Sequence, residues 1–372
     1  MVRLRFWLFI LVTGYLGTTL FAQTDTSLNY SFFVAGHTYG VPEDLGIHPP
    51  FREKFAYIRG RPEIKFGVLT GDIVAANPTA TDWDAVDADI DSLGLPVYFT
   101  VGNHDAENLP LFENRYGSTY YHFSYENDLF IVLDPNLDSW NISGDQLDFL
   151  KEILMQQAGL SHNVFVFFHQ ILWRDSDSPF KYIIYNSGAG RGDSINFWTE
   201  VEPLFRGLTN EVFMFAGDLG APWSSDVTYD HYENITLIAT GMGDHERENF
   251  IVVNVNSDKT VSFDLICLSD TVSCLGNLTD YLKVDELVAI QTPVFSQVFE
   301  FIPNPAFDHI RLQADPGGCE RAQIYNVWGV LTYEVVCADF HRGIDVTNWQ
   351  RGMYVAIIYR DNRRYMSRFI LQ

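Results

Sequence analysis

Seven polar residues in this chain have the types needed to hold a cation and move a proton: His37, Asp72, Asn103, His104, Asp105, His169 and Asp218. Imidazole and carboxylate together suit transition metals such as Zn, Mn or Fe, and oxygen donors also accept Mg. A carboxylate can bridge two cations, and an amide oxygen can ligate one without adding charge. A bound metal can activate water at neutral pH and polarise a phosphoryl oxygen. A nearby histidine that is not a ligand can protonate a leaving alkoxide as general acid. Taken singly, each residue has a plainer reading. A His after a strand is commonly a hydrogen-bonded loop residue, Gly-Asp is a turn, and Asn-His-Asp can cap a helix. Recurrence outweighs those readings, because each residue or group closes an apolar run.

Five runs do the positioning. Residues 30–34 lead to Ala35-Gly36-His37, and 64–70 lead to Gly71-Asp72. Residues 95–101 lead to Gly102-Asn103-His104-Asp105, 163–168 to His169, and 211–216 to Gly217-Asp218-Leu219-Gly220. Each run reads as a buried strand, and open α/β sheets gather their chemistry at the carboxyl ends of strands. Thr81-Asp-Trp-Asp84 has the form of a capping box. Trp83, Val86, Ile90 and Leu93 follow it at helical spacing, so strand, helix and strand imply a parallel crossover. Residues 120–125 and 129–133 read as an antiparallel pair. Ser143-Gly-Asp-Gln146 reads as a second capping box, before a helix with Leu147, Leu150, Ile153 and Leu154 on one face. Residues 41–63 read as loop, and 197–208 as a short helix. Residues 173–196 are polar and aperiodic, the length of a functional loop or lid. Two more strands are expected over 235–240 and 250–255.

The bulk properties agree with a secreted, two-domain protein. At 372 residues the length suggests about two domains. A hydrophobic share of 47% excludes general disorder. The many Phe and Tyr residues imply an aromatic-rich core in preference to a sugar-stacking surface. The net charge is −24, while residues 298–372 balance 8 acidic against 8 basic side chains. The region before them is therefore strongly acidic, which repels phosphate polymers and excludes nucleic acid as a partner. Residues 1–22 have a basic start, an apolar stretch and a small residue before a cut, the pattern of a signal peptide. No later run is long enough to cross a bilayer, so no transmembrane segment remains after cleavage. Four cysteines in an oxidising compartment imply disulfides, with three possible pairings. Sequence proximity favours Cys267 with Cys274 and Cys319 with Cys337. Arg191-Gly-Asp193 is read as a chance adhesion tripeptide. Asn141, Asn234 and Asn277 head glycosylation signals that matter only in a host that uses them.

Over residues 29–266 the chain resembles the calcineurin-like metallophosphoesterases. Gly71-Asp72 and Gly102-Asn103-His104-Asp105 match two of that family's five motifs in type and spacing. His169 matches the fourth, and the helix at Gln146-Leu-Asp-Phe-Leu150 looks like the family's. The resemblance implies a four-layer α/β/β/α sandwich of two mixed sheets. It implies that Asp72 bridges two metals, that Asn103 and His169 hold the second, and that His104 is the general acid, oriented by Asp105. It implies metal-dependent phosphoester hydrolysis by hydroxide held on the metal. Two motifs depart from the family. Ala35 stands where the first aspartate is expected, and Asp218 and Gly220 replace the two final histidines. By the resemblance, the aspartate and the last histidine that Ala35 and Gly220 replace would both serve the first metal, which keeps only His37 and Asp72. The second keeps Asp72, Asn103 and His169, with Asp218 as an oxygen donor. One firmly bound divalent cation (Mn, Zn, Fe or Mg) is expected, with Asp44, His48, Asp244 and His245 as candidates to rebuild the first position. A non-catalytic binding protein on the same scaffold is the alternative.

The C-terminal part resembles the sorting domains of type IX secretion. The matching stretches are Phe301-Ile-Pro-Asn-Pro305 with Asp308, Ile324-Tyr-Asn-Val-Trp-Gly329, Ile344-Asp-Val-Thr-Asn348, Arg351-Gly-Met-Tyr-Val355 and Arg368-Phe-Ile-Leu371. Short strands at regular spacing from Val298 predict a small all-β sandwich. The expected organisation is signal peptide 1–22, phosphoesterase-like domain 29–266, linker 267–297 and sorting domain 298–372. The sorting domain implies passage through the periplasm and handling by the type IX machinery, to the cell surface or medium.

Overall fold

The computed structural model describes residues 27–243, 247–269, 276–282, 301–312, 319–326, 331–336, 343–360 and 363–372. The signal-like stretch lies outside them. Eleven strands build the first part: β1 (Leu28–Ala35), β2 (Ile64–Thr70), β3 (Val97–Thr100), β4 (Tyr121–Tyr125), β5 (Asp128–Val132), β6 (Asn163–Phe167), β7 (Glu211–Leu219), β8 (Thr228–Tyr232), β9 (Ile235–Gly241), β10 (Asn249–Asn256) and β11 (Val261–Cys267). They form two mixed sheets, ordered β11-β10-β1-β2-β3 and β4-β5-β6-β7-β9-β8. β1, β2 and β3 run parallel, as do β5, β6, β7 and β9. Antiparallel strands flank both parallel sets.

Alternation along the strands sorts side chains into three apolar layers. Phe32, Phe66, Phe130, Phe165, Phe167 and Phe215 fill the space between the sheets. Their rings pack edge-to-face and offset, with Phe32 and Phe165 centroids 5.1 Å apart and Phe130 and Phe165 4.9 Å apart. Such pairs add about 0.5–1.5 kcal/mol each beyond burial, so the aromatic surplus is core. Residues on the outer face of the five-stranded sheet, such as Phe33 and Leu69, pack with Trp83, Val86 and Phe112 of the covering helices. On the other side Ile131, Val166 and Met214 pack with Leu147, Leu150 and Ile153. The order from one face to the other is helices, sheet, sheet, helices.

The helices show where local reading needed tertiary context. The segment read as loop over 41–63 contains α1 (Pro49–Glu53) and α2 (Phe55–Arg59), because Phe51, Phe55 and Ile58 bury against the sheet. The capping box of α3 (Ala80–Leu93) lies two residues earlier than expected. Thr79 is its cap, and its N–H donates to Asp82 at 2.7 Å. α4 spans Leu109–Tyr116 and α5 spans Gly144–Gln157. Ser143 stands at the N-cap position of α5, but its hydroxyl donates to Asp138 and Gln146 does not reach back to it. Gln146 is buried, accepts from the Asp134 N–H at 2.7 Å and donates to the Asp134 carbonyl at 3.0 Å, tying the helix to the end of β5. The expected helix over 197–208 is a π-turn, Phe197–Val201, followed by α6 (Glu202–Arg206). In the loop over 173–196, Phe180, Ile183 and Ile195 are buried, and Arg191 lies 5.8 Å from the Trp140 ring while pairing with Asp175.

Cys267 is disulfide-bonded; Cys274 and Cys337 lie outside the described residues. Of the stretch read as linker, Leu278–Tyr281 forms a short turn whose Leu278 is buried with the inter-sheet core. The C-terminal part comprises β12 (Phe301–Ile302), β13 (His309–Leu312), β14 (Cys319–Asn326), β15 (Leu331–Val336), β16 (Ile344–Asp345), β17 (Gly352–Arg360) and β18 (Arg363–Leu371). A three-stranded sheet, β12-β13-β16, and a four-stranded sheet, β15-β14-β17-β18, share one core. Phe301, Ile310, Ile324, Tyr354, Ile358 and Phe369 are among its residues. Among the described residues, no helix is long and apolar enough to cross a membrane.

Candidate metal centre

The carboxyl ends of β1, β2, β3, β6 and β7 converge, and the sequence places a donor on each. His37 and Asp72 both adopt left-handed backbone, at φ 54° and 51°. Such geometry is uncommon away from glycine and gathers at functional sites. It turns each chain sharply off its strand: the His37 N–H donates to the Gly71 carbonyl at 3.0 Å, and the Tyr39 N–H donates to the Asp72 carbonyl. Asp72 is buried at the centre. Its Oδ1 accepts the His104 N–H at 3.0 Å. Its Oδ2 lies 3.4 Å from His169 Nε2 and 3.8 Å from both His37 Nε2 and His104 Nε2. Gly102 is required for this approach, since a Cβ there would stand 2.2 Å from Asp72 Oδ1.

His169 is the best-prepared donor. Its Nδ1 lies 2.8 Å from the Thr70 carbonyl, which can only accept, so Nδ1 carries the proton. In the neutral ring Nε2 then carries the lone pair; the atom is fully buried and has no hydrogen-bond partner. Metal-binding histidines are commonly held this way. Asp218 Oδ1 is 3.9 Å from that nitrogen, and both Asp218 oxygens are buried without a hydrogen-bond partner. Burying carboxylates without compensation is costly. Among the described residues, no group of three or more His, Cys, Asp or Glu is already drawn in to metal-holding geometry. The separations of 3.4 to 3.8 Å around Asp72, and of 3.9 Å between His169 and Asp218, are long for hydrogen bonds. They do suit donors sharing a cation: bonds of about 2.1 Å at tetrahedral angles put ligands roughly 3.4 Å apart. The residues therefore fit a divalent cation beside His169, Asp72 and Asp218, reached by modest tightening.

Electrostatics point the same way. Burial pushes Asp218 well above the usual carboxylate range. At His169 burial disfavours charge, but Asp72 beside it prevails and holds the imidazole up to about 10. At Asp72 burial is opposed by His169, His37 and His104, and the net result lies below the ordinary value. His37 is pushed down to about 4, because burial there exceeds the pull of Asp72. A cation between the carboxylates would supply the positive charge that the proton on His169 otherwise provides.

The remaining expected residues divide. His104 is partly exposed beside Asp72, and Asn103 is half-buried in the same turn. Asp105 does not contact the His104 ring as the resemblance implied. Its Oδ1 accepts the Ile73 and Val74 N–H groups at 3.0 and 3.1 Å, and its Oδ2 accepts the Gly102 N–H at 2.8 Å. Three donors use both oxygens, so it fastens the β2 loop to the β3 loop. Asp44 and His48 are bound elsewhere. His48 Nδ1 lies 2.9 Å from Asp44 and Nε2 lies 3.0 Å from Glu248, whose Oε1 accepts the Gly243 N–H. Asp244 and His245 lie outside the described residues.

On the side expected to hold the first metal, backbone stands where a side chain at position 220 would begin. A Cβ at Gly220, with φ of +105°, would stand 2.3 Å from the Met242 nitrogen. Ala35 is buried in the same apolar cluster as Ile73 and Met242. Sequence reasoning missed Tyr39 and Trp223. Tyr39 sits between the two histidine rings, 4.3 Å from His37 and 5.4 Å from His104. Burial and then Asp72 raise its hydroxyl above the ordinary value, keeping it protonated. Only their closeness to the first and last motifs could have signalled either residue.

The family model for calcineurin-like phosphoesterases matches residues 37–201, and that for the secretion system C-terminal sorting domain matches residues 300–372. The chain carries a calcineurin-like phosphoesterase domain followed by a type IX sorting domain. The phosphoesterase match takes in His37, Asp72, Asn103, His104, Asp105 and His169 but ends before Asp218, while the sorting-domain match takes in the terminal β-structure. The chain is also similar to the ulvan lyase NLR42 of Nonlabens ulvanivorans, 29% identical over 129 residues. That match takes in 31% of this chain and 24% of the lyase, so about a quarter of the relative's length is spanned. Among solved structures, purple acid phosphatase PPD1 from yellow lupin (Lupinus luteus) seeds is similar at a TM-score of 0.45 and 13% identity, over 65% of this chain and 52% of that one.

Proposed function

We propose that the chain is an exported, metal-dependent phosphoester hydrolase. The organisation that goes with this reading is a cleaved signal peptide at 1–22, a catalytic domain at 29–266 and a sorting domain at 298–372 that engages the type IX machinery. The observation that carries it is the His169 nitrogen, its proton fixed on the far side by Thr70, facing two buried carboxylates. Asp72, Asn103, His169 and Asp218 hold one divalent cation of the Mn, Zn, Fe or Mg class, with His37 at its edge. Such a cation would polarise a phosphoryl oxygen and supply a nucleophile at neutral pH. His104, whose backbone N–H is fixed by Asp72, presents its partly exposed ring to the cavity and donates the proton to the leaving alkoxide. Asp105 acts through the loops as a positioning residue.

The departures at Ala35 and Gly220 favour a second reading, a binding protein without turnover. Assays of bis-p-nitrophenyl phosphate and p-nitrophenyl phosphate with added Mn, Zn or Fe separate the two. Turnover lost in His104→Gln supports the enzyme; absence of turnover with every metal removes it.

A further inference from the structure

The cavity over the centre has a volume of about 310 Å³ and a floor of His37, Asp72 and His104. None of its described lining residues is Lys or Arg. The three residues that follow Gly243 in sequence are Asp, His and Glu, so they bring no such cation either. Val41, Pro42, Pro222 and Trp223 make up much of the remaining wall. Trp223 is 66% exposed, yet its ring is fixed, because the indole N–H donates to the Asn186 carbonyl at 3.1 Å. A flat, oriented aromatic face therefore stands open at the rim.

Charge narrows what can enter. A phosphomonoester is close to a dianion at neutral pH, since its second proton leaves near pH 6. Its second charge would face Asp72, with Asp218 buried behind it and no lysine or arginine among the described wall residues to meet it, in a chain of net charge −24. A phosphodiester carries one charge and places its second ester group against a wall without demanding a cation there. Polymeric phosphates are repelled by the same field.

We infer that this site selects small monoanionic phosphodiesters bearing a flat aromatic or other ring group, which stacks on Trp223, over phosphomonoesters. This rests on the site being one for phosphoesters. The test is calorimetric binding to the full chain loaded with Mn at pH 8, using three probes without an ester bond. Diphenylphosphinate is a monoanion with rings, dimethylphosphinate is a monoanion without, and phenylphosphonate is a dianion with one ring. Diphenylphosphinate should bind about tenfold or more tighter than either, a ratio in the range of one aromatic stack. Trp223→Ala should remove most of the advantage over dimethylphosphinate while leaving dimethylphosphinate binding in place. Val41→Lys should strengthen phenylphosphonate. Equal or tighter binding of phenylphosphonate by the unaltered chain, or an undiminished ring advantage in Trp223→Ala, overturns the inference. Absence of turnover alongside the expected binding order would instead remove the hydrolase reading and leave the selectivity standing.

Discussion

Asp105→Ala gives the sharpest test of how the centre is held. Asp105 is buried and accepts three backbone N–H groups, from Ile73, Val74 and Gly102. Truncation to alanine leaves all three donors without a partner. Each buried donor so orphaned costs about 1–3 kcal/mol, so about 3–6 kcal/mol in all is expected once the loops relax and water enters. That is a large part of the 5–15 kcal/mol typical of a domain. Asp105→Asn keeps one acceptor oxygen but turns an amide NH2 toward an N–H donor, so it should fall between alanine and the parent. The assay is urea unfolding followed by circular dichroism, with and without EDTA, which separates lost hydrogen bonds from lost metal. The order parent, Asn, Ala should appear in EDTA as well. An Asp105→Ala unfolding free energy within about 0.5 kcal/mol of the parent would falsify the hub role. An Asp105→Asn variant that is equally stable but inactive would return Asp105 to direct action on His104.

Three further outcomes follow from the same geometry. Elemental analysis of purified protein should find one equivalent of divalent metal, and Asp72→Asn should find none; two equivalents in the parent would contradict the single-site proposal. Gly220→Ala should lower stability by about 2 kcal/mol or more, because its Cβ meets the Met242 backbone and its φ is left-handed; an unchanged melting temperature would show that this backbone yields freely. Burial disfavours a charged His48, but Glu248 and Asp44 on its two ring nitrogens prevail and raise its pKa. A raised folded pKa means stabilisation that is complete below the ordinary value of about 6.5 and is lost as pH rises through the folded value. His48→Gln should therefore cost about 2 kcal/mol at pH 6 and progressively less toward pH 9; a cost that grows with pH would reverse the assignment.

The donors were legible because each ends an apolar run, and parallel strands bring such ends to one edge. His37, Asp72, His104, His169 and Asp218 come together for that reason. What the chain did not disclose depends on contacts between distant segments. Gln146 has the spacing of a capping residue, yet its amide is drawn to the Asp134 backbone, which no local rule foresees. The family resemblance implied that Asp105 orients the His104 ring. Its carboxylate instead meets amides more than thirty positions away. No local pattern singles out Trp223, and only the fold puts it at the rim of the cavity.

The two departures from the family, at Ala35 and Gly220, are far apart in sequence, but Met242 bears on both regions. The Met242 nitrogen lies where a Gly220 side chain would begin, and the Met242 side chain is buried in the cluster that contains Ala35. A histidine at 220 would have to displace that backbone, and an aspartate at 35 would have to enter that cluster. Neither replacement is a local repair, and each is obstructed by the same strand exit after β9. The intact donors depend on a different junction, where Thr70 fixes the His169 tautomer and Asp105 fixes the loops around Asp72. Substitutions around Met242 and substitutions around Asp105 should therefore act independently, the first altering stability without altering metal content, the second altering both.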